Sequence, residues 1–76
     1  MIMTIHDVVS VSAEVQSGTP VFRGTRVPVK NLFDYLRGGE SVEEFVHDFP
    51  SVSIDQVRTL LHLSEAIATM NVPVDA

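Results

Sequence analysis

The side chains best equipped for surface chemistry in this chain are four cations, Arg23, Arg26, Lys30 and Arg37, which stand between residues 23 and 39 against a single acid, Asp34. A guanidinium is planar and grips a carboxylate or a phosphate through two parallel hydrogen bonds, whereas an ammonium acts as a point charge. Such a cluster predicts contact with an acidic protein surface or with nucleic acid. Outside it the chain is acidic. Asp7 and Glu14 precede the cluster, and Glu40, Glu43, Glu44, Asp48, Asp55, Glu65 and Asp75 follow it with Arg58 alone opposing them, for a net charge of −5. That balance disfavours an indiscriminate nucleic-acid binder, because phosphate is repelled by most of this surface.

Other chemistries lack their residues. Cysteine is absent, which excludes disulfides, thiolate metal cages and a thiol nucleophile. His6, His47 and His62 are far apart in sequence and show no paired i, i+4 spacing, so no metal site is expected. Neither a pair of acids set in an apolar pocket nor a Ser/His constellation can be read from the spacing. The chain is therefore read as non-catalytic and without a cofactor. The Gly38-Gly39 pair lacks the lysine and the strand context of a phosphate loop and reads as a helix cap.

These groups sit on a chain of 76 residues, 45% hydrophobic and 20% charged. That length predicts one domain, 1–76, whose core is near the minimum that offsets chain entropy. An apolar composition in so small a fold also predicts association, as a homodimer or with an obligate partner. The first eleven residues show no basic segment ahead of an apolar stretch, and no apolar run approaches the roughly 20 residues that span a bilayer. A cytoplasmic protein without membrane insertion is expected.

Apolar periodicity places the elements. Residues 5–26 are read as a β-strand or hairpin region: partial alternation over Val8 to Val15 predicts a strand, Ser17-Gly18-Thr19-Pro20 a turn, and Val21-Phe22-Arg23 a returning strand that Gly24 interrupts. A first helix is predicted over 28–38, with Pro28 tolerated in its first turn and Val29, Leu32, Phe33 and Leu36 on one face. A second is predicted over 41–49, opened by the capping box Ser41-Val42-Glu43-Glu44 and closed by Pro50. A third is predicted over 53–70, opened by Ser53-Ile54-Asp55-Gln56, with Val57, Leu60, Leu61, Ser64 and Ala68 inward. Residues 71–76 form a tail. The fold class is mainly α: a three-helix, homeodomain-like helix-turn-helix bundle with a short N-terminal β-hairpin. On the third helix Gln56, Arg58, Thr59 and His62 lie off the apolar face, where a recognition helix would read DNA. With acids close by, a solvated face is the preferred reading for a monomer, and operator binding is expected of a dimer that clusters Arg23, Lys30, Arg37 and Arg58.

The stretch Gly18-Thr19-Pro20-Val21-Phe22-Arg23-Gly24-Thr25-Arg26-Val27-Pro28-Val29 resembles the signature of the domain-of-unknown-function family 433, short bacterial proteins regarded as antitoxins. Leu36 to Glu44 and Phe49 to Val57 extend the likeness, which covers roughly residues 5 to 68. Gln16 and Ser17 depart from it, standing where a glycine commonly precedes the signature, and Val52 replaces a usual leucine. The resemblance implies a homeodomain-like fold and a cognate toxin similar to PIN-domain ribonucleases, which the protein would bind and neutralise, with operon autoregulation through operator DNA as a second role. A stand-alone helix-turn-helix transcription regulator and a protein-interaction adaptor are the alternatives. Within the signature Gly18, Pro20, Gly24, Thr25 and Pro28 are read as structural, since glycine permits a tight turn and the Thr25 hydroxyl can satisfy local backbone groups. For the arginines two roles stay open, bracing against an acid such as Asp34 or Glu44 and entry into an acidic toxin pocket. Strand alternation assigns the first to Arg26 and the second to Arg23, with Lys30 and Arg37 as further partner contacts.

Overall fold

A computed structural model describes residues 4–70. In chain order it contains a helical turn α1 (Ile5–Val8), strand β1 (Val9–Ser10), strand β2 (Val21–Phe22) and helices α2 (Val29–Arg37), α3 (Val42–Asp48) and α4 (Ile54–Thr69). The two strands pair antiparallel, Val9 opposite Phe22 and Ser10 opposite Val21. The architecture is thus mainly helical with a small sheet near the N-terminus, and α2, α3 and α4 each begin and end one residue inside their expected limits. The tail over 71–76 lies outside the described residues.

The N-terminal region differs from the strand expected over Val8 to Val15. Four residues fold instead into α1, because Thr4 caps them: the Thr4 N–H donates to the Asp7 carboxylate at 2.7 Å and the Thr4 hydroxyl does so at 3.1 Å. The strand that follows ends after Ser10. The Ser12 hydroxyl accepts the Glu14 N–H at 3.2 Å and the Ser12 carbonyl accepts the Val15 N–H at 3.1 Å, so local bonds take the groups a longer ladder would need. A left-handed turn over Gln16–Gly18 then reverses the chain, with φ of 52°, 55° and 85° in succession.

The helix ends follow side-chain chemistry. α2 closes in a Schellman motif, in which the Glu40 N–H reaches the Tyr35 carbonyl (2.9 Å) and the Gly39 N–H reaches that of Leu36 (3.1 Å), with Gly39 at φ +86°. Only glycine adopts that φ without strain. At the start of α3 the Ser41 hydroxyl accepts the Glu44 N–H (3.0 Å). α4 has the full reciprocal box, Gln56 N–H to Ser53 hydroxyl (3.1 Å) and Ser53 N–H to the Gln56 side-chain oxygen (3.0 Å). Phe49, at φ −123° and ψ 73°, has left the helical region, as a residue preceding proline tends to.

One core joins these elements. Phe22, Phe45, Leu32, Val8, Val52, Val57 and Leu60 form a continuous buried cluster, with Val29, Phe33, Tyr35, Val42 and Phe49 packed on its margin. Phe45 is fully buried and touches three rings, with centroids at 4.9 Å (Phe49), 5.3 Å (Tyr35) and 5.8 Å (Phe22). Tilted and edge-on pairs of this kind add to the burial energy of the rings themselves. Val52, between α3 and α4, is 1% exposed and anchors that turn from within.

Residues in the left-handed region other than glycine cost roughly 1–2 kcal/mol. The Gln16 side chain donates to the Arg26 carbonyl, whereas that of Ser17 makes no hydrogen bond among the described residues. Ser17→Gly is therefore expected to raise the unfolding free energy by about 0.5–1 kcal/mol in urea titration, the relief of strain outweighing the extra entropy of the unfolded glycine.

Candidate binding site

The signature segment folds as one braced turn. β2 carries Phe22 into the core, and the chain turns through Arg23, Gly24, Thr25 and Arg26 to return at Val27 and Pro28 beside the strand. Gly24 supplies φ +80°. The Thr25 hydroxyl donates to the Phe22 carbonyl (2.7 Å) and accepts the Val27 N–H (3.0 Å), while the Phe22 N–H reaches the Val27 carbonyl (3.0 Å). The Val29 N–H then bonds the Pro20 carbonyl at 3.0 Å, which fixes the entry into α2.

Three distant segments fasten the turn. The Gln56 side-chain amide, already capping α4 through its oxygen, donates through its nitrogen to the Arg23 carbonyl (3.1 Å). From the opposite end of the sequence the Gln16 amide donates to the Arg26 carbonyl (3.1 Å). The Arg23 guanidinium itself donates to the His6 and Val9 carbonyls. Its charge also helps to hold the Asp7 carboxyl below the usual range, after the larger effects of the Thr4 N–H and hydroxyl.

This geometry reverses the roles expected for the two arginines. Arg23 is the brace, and it binds backbone carbonyls rather than an acid. Arg26 is exposed, and its guanidinium has no hydrogen bond or ion pair among the described residues. Alternation along a strand misassigned them because the chain leaves the strand at Phe22, so the two side chains obey turn geometry instead. Lys30 and Arg37 are both drawn to Asp34, at 2.8 and 2.7 Å on the exposed side of α2. Lys30 first and Arg37 next hold the Asp34 carboxyl below its usual range.

Of the residues expected to face DNA, Gln56 is committed at both ends of its amide to the fold. Arg58 and His62 are exposed one helical turn apart on α4, and Thr59 is half-buried. The helix before them is acidic on its outer side, with Glu43, Glu44 and Asp48 all exposed. Glu40 is pushed above its ordinary range by the neighbouring Glu44 carboxylate, while the Tyr35 hydroxyl, donating to Asp48 at 2.7 Å, holds Asp48 below its own. Among the described residues no group of His, Asp and Glu could hold a metal ion, and no helix is long and apolar enough to cross a membrane.

Fold and site together define a small, mainly helical domain that presents a fastened, arginine-bearing turn. Residues 9–62 match the family model described as a protein of unknown function, DUF433, and the chain belongs to that family. An uncharacterized protein, y4eO, from Sinorhizobium fredii (strain NBRC 101917 / NGR234) is 37% identical over 61 residues. The match takes in 80% of this chain and 28% of that relative, so the chain spans little more than a quarter of the relative's length. No solved structure matches the chain.

Two outcomes check this site. Thr25→Val should cost about 1–2 kcal/mol in chemical unfolding because the Val27 N–H loses its acceptor, while Thr25→Ser should keep most of the stability. The second concerns pH. Asp48 titrates below its usual 3.8 in the folded chain, so its contribution is present above 3.8 and is lost as pH falls through the folded value. Tyr35→Phe removes the larger cause. NMR titration should then find the Asp48 carboxyl closer to 3.8, and the variant should lose less stability than the parent on acidification.

Proposed function

We propose that this protein is an antitoxin that binds a PIN-like ribonuclease toxin in the bacterial cytoplasm and blocks its acidic active site. The observation that carries the reading is Arg26. Its guanidinium has no partner among the described residues, yet the backbone on both sides is fastened, by Gln16 at its own carbonyl and by Gln56 at the carbonyl of Arg23. A planar donor presented on a fixed turn suits a cluster of carboxylates, and pre-ordering it reduces what binding must immobilise. The resemblance of the signature to that of antitoxins supplies the class of partner, and a PIN-like active site is such a cluster of acids.

Operator binding through α3 and α4 is the second role. Exposed Arg58 and His62, one turn apart on α4, favour it. The acidic outer side of α3 opposes it, because the first helix of such a unit crosses the phosphate backbone. DNA contact by the isolated domain would therefore be weak and steeply dependent on salt.

Co-expression with the ribonuclease, copurification and rescue of growth test the first role. Arg26→Ala should weaken the complex about thirtyfold or more, as a central charged anchor does, with unfolding unchanged. Arg26→Lys should recover only part of the loss because an ammonium cannot form the planar pair. Arg23→Ala should instead lower stability. Undiminished binding by folded Arg26→Ala would overturn the assignment.

A further inference from the structure

Among the described residues four large hydrophobic side chains remain exposed, and three of them, Ile5, Ile67 and Met70, line a single groove with a volume of about 370 Å³. Thr4, Leu63 and Ala66 complete its walls. The groove runs between the start of α1 and the outer half of α4, and none of its walls belongs to the turn that carries Arg26.

Its origin lies in the length of α4. Sixteen residues extend about 24 Å, but the buried side chains of the helix, Val57 and Leu60, lie in its first two turns. Every residue from Glu65 to Met70 is exposed. Leu63, Ala66, Ile67 and Met70 nevertheless repeat at i, i+3, i+4 and i+7, the spacing of one buried helical face. Between Leu61 and Met70 the titratable side chains are His62 and Glu65, and at 100° per residue both point away from the line through Leu63 and Met70.

We infer that a second copy of this chain occupies the groove, packing the outer half of its own α4 against the first about a two-fold axis. Two observations select a copy over an unrelated partner. The patch holds both halves of a fit: Ile67, 71% exposed, projects beside a hollow of apolar side chains. In a two-fold contact each copy offers the same ridge and the same hollow, so one such patch suffices for both sides. Charge is the second. Two chains each carrying −5 repel wherever acids meet, and the α4 side of this groove lacks them. The small core gives the contact its thermodynamic reason, since a domain of this size has little apolar burial of its own.

Sedimentation equilibrium over a dilution series should give a mass twice the 8.4 kDa of one chain, falling to the single mass for Ile67→Glu and for Met70→Glu. Both positions are solvent-exposed in the single chain, so helical circular dichroism and thermal unfolding of the diluted variants should show that each remains folded. Because the chain has no cysteine, Ile67→Cys gives a defined probe, which should cross-link two copies under mild oxidation where Arg58→Cys does not. A wild-type chain that stays at the single mass, or a dimer that survives both glutamate variants, overturns the inference. So does a wild-type monomer in which Ile67→Glu abolishes toxin capture, because the groove then belongs to the toxin. Arg26→Ala should leave the dimer intact, which separates failure here from failure of the antitoxin reading.

Discussion

The Thr25 hydroxyl closes the turn on which the arrangement of the N-terminal half depends. With one bond given to the Phe22 carbonyl and one taken from the Val27 N–H, it converts the end of a two-residue strand into a return path. Phe22 is thereby driven against Phe45, Arg23 is turned towards α1, and Pro28 is placed to start α2 from beside β2. The sheet is too short to hold such geometry through its own ladder, since two-stranded pairings are marginal in water. Side-chain bonds replace the missing strand length, and most of them come from neutral residues.

That substitution explains why a cluster of four cations in the sequence becomes one available guanidinium in the structure. Lys30 and Arg37 lie three or four residues from Asp34 and meet it across a helical turn, an outcome helical spacing alone foretells. Their exposed pairs with it add little stability, but they lessen the attraction each would have for an outside anion. Arg23 is occupied for a reason spacing cannot reveal: the carbonyls it binds belong to residues 6 and 9. What remains for recognition is set by hydrogen bonding as much as by charge count.

The helices were the legible part of the sequence. Ser41, Ser53, Gly39 and Pro50 each carry a local rule that acts within four residues, and the apolar repeats through Leu32, Phe45 and Leu60 converge on one core as expected. Less was legible before residue 28. Thr4 and Asp7 form a capping box across a single helical turn, too short for periodicity to register, and the Ser12 hydroxyl ends a strand that β-branched composition alone would prolong. Gln16 and Ser17 held a visible signal: they stand where a glycine commonly precedes the signature, and both sit in the left-handed region that glycine favours. The second apolar stripe of α4 was also present in the sequence, at Leu63, Ala66, Ile67 and Met70. It is obscured because it overlaps the inward face that begins at Val57, and only the position of α1 separates the two.

The amide of Gln56 has one further consequence, for a chain emerging in order from the ribosome. The same side chain that starts α4 also secures the Arg23 carbonyl, thirty-three positions earlier. The amino-terminal half therefore leaves the exit tunnel without the clasp that holds its turn, and without the Phe45 ring against which Phe22 packs. Domains of this kind fold as whole units. The order of synthesis thus delays the finished arginine turn until Phe45 and Gln56 have both emerged, and a product truncated before them would display the motif without its shape.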